Sequence, residues 1–195
     1  MKAAIMGYGT IGSGVYEDLD RNCKIVEKKA GEPIEVKYIL DLREFPGTPI
    51  EKLVIHDVKT IVDDPEIGIV VETMGGTTPA YEFVKSCLLA GKHVVTSNKA
   101  LVAAHGTELI RIAAEKNVSV LFEASVGGGI PIIRPLVECL GGEEIEEISG
   151  ILNGTTNYIL TKMNEEGWSF EEALKCAQEL GYAERNPEAD VEGYD

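Results

Sequence analysis

Ile5-Met6-Gly7-Tyr8-Gly9-Thr10-Ile11-Gly12 sets three glycines in a Gly-x-Gly-x-x-Gly pattern between a short apolar run and a helical one. No other stretch restricts the fold so strongly, because each glycine answers a different steric demand. Gly7 permits a tight turn off a strand, Gly9 lets the backbone approach a bound group, and Gly12 allows a helix to lie close against the strand. The helix that follows offers N–H groups and the positive end of its dipole, a seat for a pyrophosphate. A glycine-rich turn can exist without a ligand. Its position in a strand–helix–strand frame is what selects the dinucleotide reading.

That frame continues along the chain. Lys2 to Met6, Val36 to Leu40, Ile67 to Glu72, His93 to Thr96 and Val118 to Glu123 read as strands, with helices over Gly12 to Lys28, Pro79 to Ala90 and Thr107 to Glu115. The strands are short, continuous in Val and Ile, and unalternated, as strands covered on both faces are. Asp64-Pro65 makes a turn before one strand, and Gly91 closes the helix ending at Ala90. Residues 1–130 are therefore expected to form an α/β, Rossmann-type, doubly wound parallel sheet that binds NAD or NADP.

After Gly129 the pattern changes. Pro131 opens a helix to about Leu140, Glu144 to Leu152 reads as one strand, and Asn153-Gly154 turns into a helix from Thr155 or Thr156 to Glu166. Ser169 and Glu172 form a capping box for a last helix, which Gly181 ends after Leu180. A single strand needs partners. Residues 131–195 thus read as the incomplete start of an α+β substrate-binding and dimerisation domain, its other strands lying beyond residue 195 or in another subunit.

Composition excludes several classes. The chain is 44% hydrophobic and 26% charged, in the globular range, with neither an apolar run of membrane length nor a charged leader; a cytoplasmic location is expected. The net charge is -15, and residues 141–195 carry 14 acidic against 3 basic groups, which argues against nucleic acid as a partner. The four cysteines lack metal-ligand spacing and read as reduced packing residues, Cys87 and Cys139 within apolar helical patterns. No cysteine sits in a reactive setting, which counts against an acylating mechanism. The three histidines show no shared metal spacing, and His93 reads as structural at the start of a buried strand.

The chemistry-bearing residues follow strand ends, where a parallel sheet binds its ligands. Asp41 would accept hydrogen bonds from the ribose 2'-hydroxyl of NAD, whereas Arg43 would bind the 2'-phosphate of NADP, and both readings stand. Thr73-Met74-Gly75-Gly76 allows close approach to a cofactor, while Thr78 and Pro79 suit an N-cap and a first helical position. Lys99 comes to the same edge one strand later, where a depressed pKa would suit it to proton transfer at an alcohol or carbonyl oxygen. Glu123-Ala-Ser-Val-Gly-Gly-Gly-Ile-Pro131 is either a hinge or a carbonyl-rich loop for a hard cation. Gly181 to Asp195 gathers five carboxylates in a segment ruled by Gly and Pro, a candidate site for an amine.

Gly91-Lys-His-Val-Val-Thr-Ser-Asn-Lys99-Ala-Leu, Glu123-Ala-Ser-Val-Gly-Gly-Gly-Ile-Pro-Ile-Ile133, Gly150-Ile-Leu-Asn-Gly-Thr-Thr-Asn-Tyr-Ile-Leu160, and Gly181-Tyr-Ala-Glu184 with Asp190-Val-Glu-Gly-Tyr-Asp195 stand in order with the glycine turn. Together they resemble homoserine dehydrogenase over essentially the whole chain. The resemblance implies reversible, NAD(P)-dependent hydride transfer between L-homoserine and L-aspartate 4-semialdehyde, on the route to threonine and methionine. It implies that Gly9, Thr10, Ile11 and Gly12 hold the pyrophosphate, that Thr73 to Gly76 and Gly181 touch the cofactor, and that Lys99 lies near nicotinamide and substrate. Glu184 would bind the substrate ammonium and Asp195 its reacting end. Oxygens of Glu123, Val126, Gly128 and Ile130 would hold a sodium ion, and the complete protein would be a homodimer or homotetramer. A second lysine, four residues past the counterpart of Asp195 in the family, falls outside this sequence, so a truncated chain is expected. The alternatives are a cofactor-binding fragment without turnover, or another amino-acid dehydrogenase such as aspartate dehydrogenase, which would not explain the 153–156 and 181–184 blocks.

Overall fold

The computed structural model describes residues 1–183 and 187–193. Its elements run β1 (Lys2–Met6), α1 (Thr10–Arg21), α2 (Cys23–Ala30), β2 (Glu35–Leu40), β3 (Val54–Ile55), α3 (Lys59–Val62), β4 (Ile67–Glu72), α4 (Ala80–Leu89), β5 (His93–Thr96), α5 (Lys99–Lys116), β6 (Val120–Leu121), α6 (Gly154–Glu166), α7 (Phe170–Glu179) and α8 (Glu188–Val191). The chain divides into two compact units, Met1–Gly142 and Glu143–Asp195.

In the first unit six strands form one sheet in the order β3-β2-β1-β4-β5-β6, all parallel. The order reverses between β1 and β4, the arrangement of a Rossmann fold, with its crevice at that junction. Met6 pairs with both Leu40 and Glu72, and Glu72 pairs with Thr96, so four strands end in one row. Every loop that leaves this row starts from a common edge.

The sheet is buried on both faces, which explains its unalternated strands. On one face Ala4, Met6 and Val70 join Val84 and Leu88 of α4 and Leu101, Leu109 and Ile112 of α5; on the other, Ile5 and Ile39 gather Val15 and Tyr16 of α1. At the opposite edge Lys92 is buried, its ammonium donating to the carbonyls of Asp64 (2.6 Å) and Ile67 (3.1 Å). Gly12 makes the α1 contact possible, since a Cβ there would lie 1.9 Å from the Gly7 carbonyl oxygen.

In the second unit α6 and α7 pack through Ile159, Ala173 and Ala177, with Trp168 and Phe170 at the rim. The capping box at Ser169 and Glu172 forms as expected.

Several elements differ from expectation. Residues 144–152 form no strand; they run as exposed coil, consistent with a segment that has no paired neighbour in its unit. The helix read over Gly12 to Lys28 breaks at Asn22, whose N–H still bonds to Asp18 while a new helix starts. The helix expected from Thr107 begins at Lys99, because Asn98 caps it by accepting from the Leu101 N–H at 3.0 Å. Pro79, after a cis peptide bond, occupies the N-cap of α4 itself, and Thr78 makes no cap. The helix read from Pro131 shrinks to a π-helical turn at Pro135–Cys139, and β3 joins the sheet edge as a strand too short for its pattern to reveal. Cys87 is buried as expected, but Cys23 and Cys139 are exposed, and His93 is exposed with its Nδ1 accepting from the Ser119 N–H.

Two glycines of α1 separate packing from propensity. Gly12→Ala is expected to unfold or strongly destabilise the first unit, whereas Gly14→Ala, whose Cβ meets nothing within 4 Å, should stabilise it by about 0.5–1 kcal/mol. Urea titrations of both variants read the two signs directly.

Candidate functional site

The turn after β1 is fixed from two sides. Gly7 takes a left-handed φ of 95°, its N–H donates to Leu40 O at 2.8 Å, and the Thr73 hydroxyl donates to the Gly7 carbonyl at 2.8 Å. α1 then starts with Gly9 at its N-cap, no side-chain cap and no acidic residue in its first turn. Its leading N–H groups and dipole thus address the crevice, a seat for an anion. A Cβ on Gly9, Gly75 or Gly76 would meet no protein atom within 4 Å. Packing does not demand these three glycines, and the space beside them can take a ligand. The glycine cradle therefore fits a dinucleotide pyrophosphate.

Asp41 and Arg43 follow β2 and are paired. Asp41 Oδ1 accepts from Arg43 N–H and Nε (both 2.9 Å), and Oδ2 accepts from Arg43 Nη2 (2.9 Å) and Tyr8 N–H (2.8 Å). Four donors fill the carboxylate, and the Arg43 guanidinium beside it holds its pKa well below the usual range. Arg43 Nη2 also donates to the Tyr8 carbonyl at 2.8 Å, while the side chain stays 59% exposed. Thus Asp41 is committed to protein donors and Arg43 is the group offered to solvent. His56, after β3, spans the Asp41 carbonyl (2.6 Å) and the Glu44 carboxylate (2.8 Å); both neighbours raise its pKa, the Asp41 carbonyl most.

Two residues that the sequence reading passed over, Glu72 and Asn98, lie at the end of β4 and just past the end of β5. Glu72 ends β4 with its carboxylate fully buried, accepting from Met74 N–H (2.7 Å), Thr96 Oγ1 (2.5 Å) and, at longer range, Asn98 Nδ2 (3.4 Å). Burial raises its pKa, opposed by those hydrogen bonds. Asn98 also donates to Gly76 O at 2.6 Å while its Oδ1 caps α5, of which Lys99 is the first residue. The signal was present as a lone carboxylate closing an otherwise apolar strand.

The loop after β6 places the Glu123 carboxylate on the N–H groups of Ile132, Ile133 (2.8 Å) and Arg134 (2.8 Å), which lower its pKa, Ile132 foremost. Its carboxylate is thus engaged as a cap for the following turn. The oxygens of Glu123, Val126, Gly128 and Ile130 expected to hold a cation lie along this loop, and the Glu123 carbonyl also accepts the Val126 N–H at 3.3 Å. Among the described residues no group of three His, Cys, Asp or Glu is arranged to hold a metal.

In the second unit, Asn153 caps α6 by accepting from Thr156 N–H (2.8 Å) and donates to Asp190 (2.6 Å). Thr155 donates to the Tyr182 carbonyl at 2.6 Å, and Gly181 turns the chain after α7 with φ of 78°. The Asn153-Gly-Thr-Thr156 block thereby fastens the residues on either side of the 184–186 stretch. Glu184 and Asp195 lie outside the described residues. The structure thus brings Gly7, Gly9, Thr10, Ile11, Gly12, Asp41, Arg43, Thr73, Gly75, Gly76 and Lys99 to one sheet edge in the first unit, with Gly181 in the second.

Known proteins match this chain along its length. The family model described as homoserine dehydrogenase, NAD binding domain, matches residues 7–123, and that described as homoserine dehydrogenase matches residues 131–195. A homoserine dehydrogenase of Synechocystis sp. is 48% identical over the whole chain, which covers 45% of that relative. The crystal structure of a homoserine dehydrogenase from Thiobacillus denitrificans superposes with a TM-score of 0.87 at 43% identity, over 98% of this chain and 45% of that one. A hyperthermophilic archaeal homoserine dehydrogenase in complex with NADPH gives 0.82 at 30% identity, over 99% of this chain and 65% of that one. The chain spans about half the length of the curated relatives it matches.

The Asp41 pair has a pH signature. A carboxylate whose pKa is depressed by folding contributes stability that is present above its unfolded value, about 4, and is lost as pH falls through the folded one. Asp41→Asn is therefore expected to cost about 1–2 kcal/mol at pH 7, the gap to wild type narrowing as pH drops below about 4. Urea unfolding at a series of pH values checks it, and a constant gap would count against the ionised pair.

Proposed function

The chain belongs to the homoserine dehydrogenase family, and on that premise we propose that it carries the cofactor site and part of the substrate site for reversible, NAD(P)-dependent interconversion of L-homoserine and L-aspartate 4-semialdehyde. The observation that carries the reading is the convergence, on one edge of the sheet, of an uncapped α1 N-terminus and Lys99 at the head of α5. Bound NAD(P) supplies the hydride acceptor or donor. The tasks read from this chain are binding, orientation and proton handling.

The N–H groups of Gly9 to Gly12 cradle the pyrophosphate and fix the cofactor lengthwise, with Thr73, Gly75 and Gly76 alongside it and Gly181 as a further contact. Lys99 accepts or returns the proton of the substrate oxygen as the hydride leaves or arrives. Glu184 holds the substrate ammonium and Asp195 its reacting end, which restricts the substrate to a near-attack geometry. A sodium ion on oxygens of Glu123, Val126, Gly128 and Ile130 would stiffen the loop after β6. Assembly as a homodimer or homotetramer and a cytoplasmic location belong to the same reading; among the described residues no helix is long and apolar enough to cross a membrane.

The Asp41–Arg43 geometry favours NADP. The 2'-hydroxyl of NAD would have to displace Arg43 from a carboxylate whose four acceptor positions are filled, whereas a 2'-phosphate can pair with the exposed guanidinium as it stands. The archaeal relative was solved with NADPH, which supports this choice.

The test uses the protein expressed from its natural start to its natural stop codon, assayed for L-homoserine and L-aspartate oxidation with NADP and NAD. Homoserine-dependent reduction of NADP is expected; its absence with both cofactors would sink the reading, and aspartate oxidation in its place would select the alternative dehydrogenase. Lys99→Ala should lower kcat about 10²–10⁴-fold with little change in the cofactor KM. Arg43→Ala should reduce kcat/KM for NADP roughly 10–100-fold and that for NAD far less; equal losses would refute the assignment of Arg43.

A further inference from the structure

Glu72 and Asn98 stand apart from ordinary strand-end chemistry. A buried carboxylate costs free energy unless donors meet it, and an apolar residue would close β4 without that cost. Each donor that meets Glu72 belongs to a segment next to the proposed reaction centre. Met74 N–H comes from the loop carrying Thr73, Gly75 and Gly76, Thr96 Oγ1 ends β5, and Asn98 Nδ2 precedes Lys99. Thr96 relays the tie, since its hydroxyl oxygen also accepts the Asn98 N–H at 2.9 Å. Asn98 then uses its two ends on two elements: Nδ2 holds the Gly76 carbonyl at 2.6 Å, and Oδ1 holds the Leu101 N–H of α5 at 3.0 Å. The Ser97 N–H adds a link to the Glu72 carbonyl at 3.3 Å.

We propose that Glu72 and Asn98 form a positioning clamp that holds the loop Thr73–Gly76 and the first turn of α5 in one fixed relation, so that cofactor and Lys99 ammonium meet in register. The proposal rests on the roles given above to Lys99 and that loop. Neither Glu72 nor Asn98 is a catalytic residue in it: both act through the groups they hold. The clamp matters because proton and hydride must move in one geometry, and a misplacement of about 1 Å between reacting groups costs on the order of 10²-fold in rate. An N-cap alone would need only the Asn98 oxygen. The donor on Gly76 is the part that capping leaves unexplained.

Asn98→Ser separates the two roles, since serine caps a helix about as well as asparagine but has no donor that reaches Gly76. Asn98→Asp also caps well and turns an acceptor toward that carbonyl. In the protein expressed from natural start to natural stop codon, both should raise the dissociation constant of NADPH, read by nicotinamide fluorescence, about tenfold and lower kcat about tenfold, with the thermal midpoint of Asn98→Ser close to wild type and that of Asn98→Asp lowered by its carboxylate beside Glu72. Glu72→Gln, which keeps an acceptor for Met74 and can donate to Thr96, should recover most of the activity that Glu72→Ala loses. Wild-type NADPH affinity and kcat in either Asn98 variant would overturn the clamp, as would a Glu72→Ala protein altered only in thermal stability. A wild type that binds NADPH but turns over no homoserine would instead bring down the functional reading, and the binding arm would still decide the clamp.

Discussion

The approach of Gly12 to the carbonyl oxygen of Gly7 is the contact on which the first unit depends. With a Cβ excluded at 1.9 Å, α1 can lie against the sheet and start at the point where the strand order reverses. Two consequences follow from that single closeness. The helix side wraps Ile5 and Ile39 with Val15 and Tyr16, completing one face of the core, and the helix end is left without a side-chain cap at the crevice. The same glycine thus serves the packing of the helix side and the placing of the helix end.

Two carboxylates one strand either side of β1 show how environment divides similar groups. Asp41 sits at the rim, is satisfied by a guanidinium and two backbone N–H groups, and stays ionised. Glu72 sits inside, is met by a hydroxyl, an amide and one N–H, and has its pKa pushed up by burial. Glu72 ends β4 and Asp41 directly follows β2, both at the shared row set by the pairing of Met6 with Leu40 and Glu72. Charge at the rim leaves Arg43 exposed beside its partner, whereas the buried group ties the loop after β4 to the residues before α5.

What the sequence disclosed was local in origin. The glycine turn, the continuous Val and Ile strands, the capping box at Ser169 and the glycine stop at Gly91 each depend on a few neighbouring residues, and all stand in the fold. What stayed hidden depends on partners distant in the chain. The filling of Asp41 by Tyr8, the burial of Glu72 and the reach of Asn98 to Gly76 arise only when the sheet is assembled. The segment 144–152 failed for the complementary reason: its apolar residues have strand character, but a strand exists only where another pairs with it. β3, with two paired residues, lies below what any periodicity can signal.

That coil also sets apolar and charged side chains next to one another. Ile145, Ile148, Ile151 and Leu152 are 45%, 65%, 87% and 66% exposed, and Glu143, Glu144, Glu146 and Glu147 are set among them. Carboxylates placed this way suit a gatekeeper role, disfavouring association through the isoleucines over the range of their field. At about 0.15 M salt that range is roughly 8 Å, and near 1 M about 3 Å. Added salt is therefore expected to shorten the reach of these carboxylates before it touches the packed core.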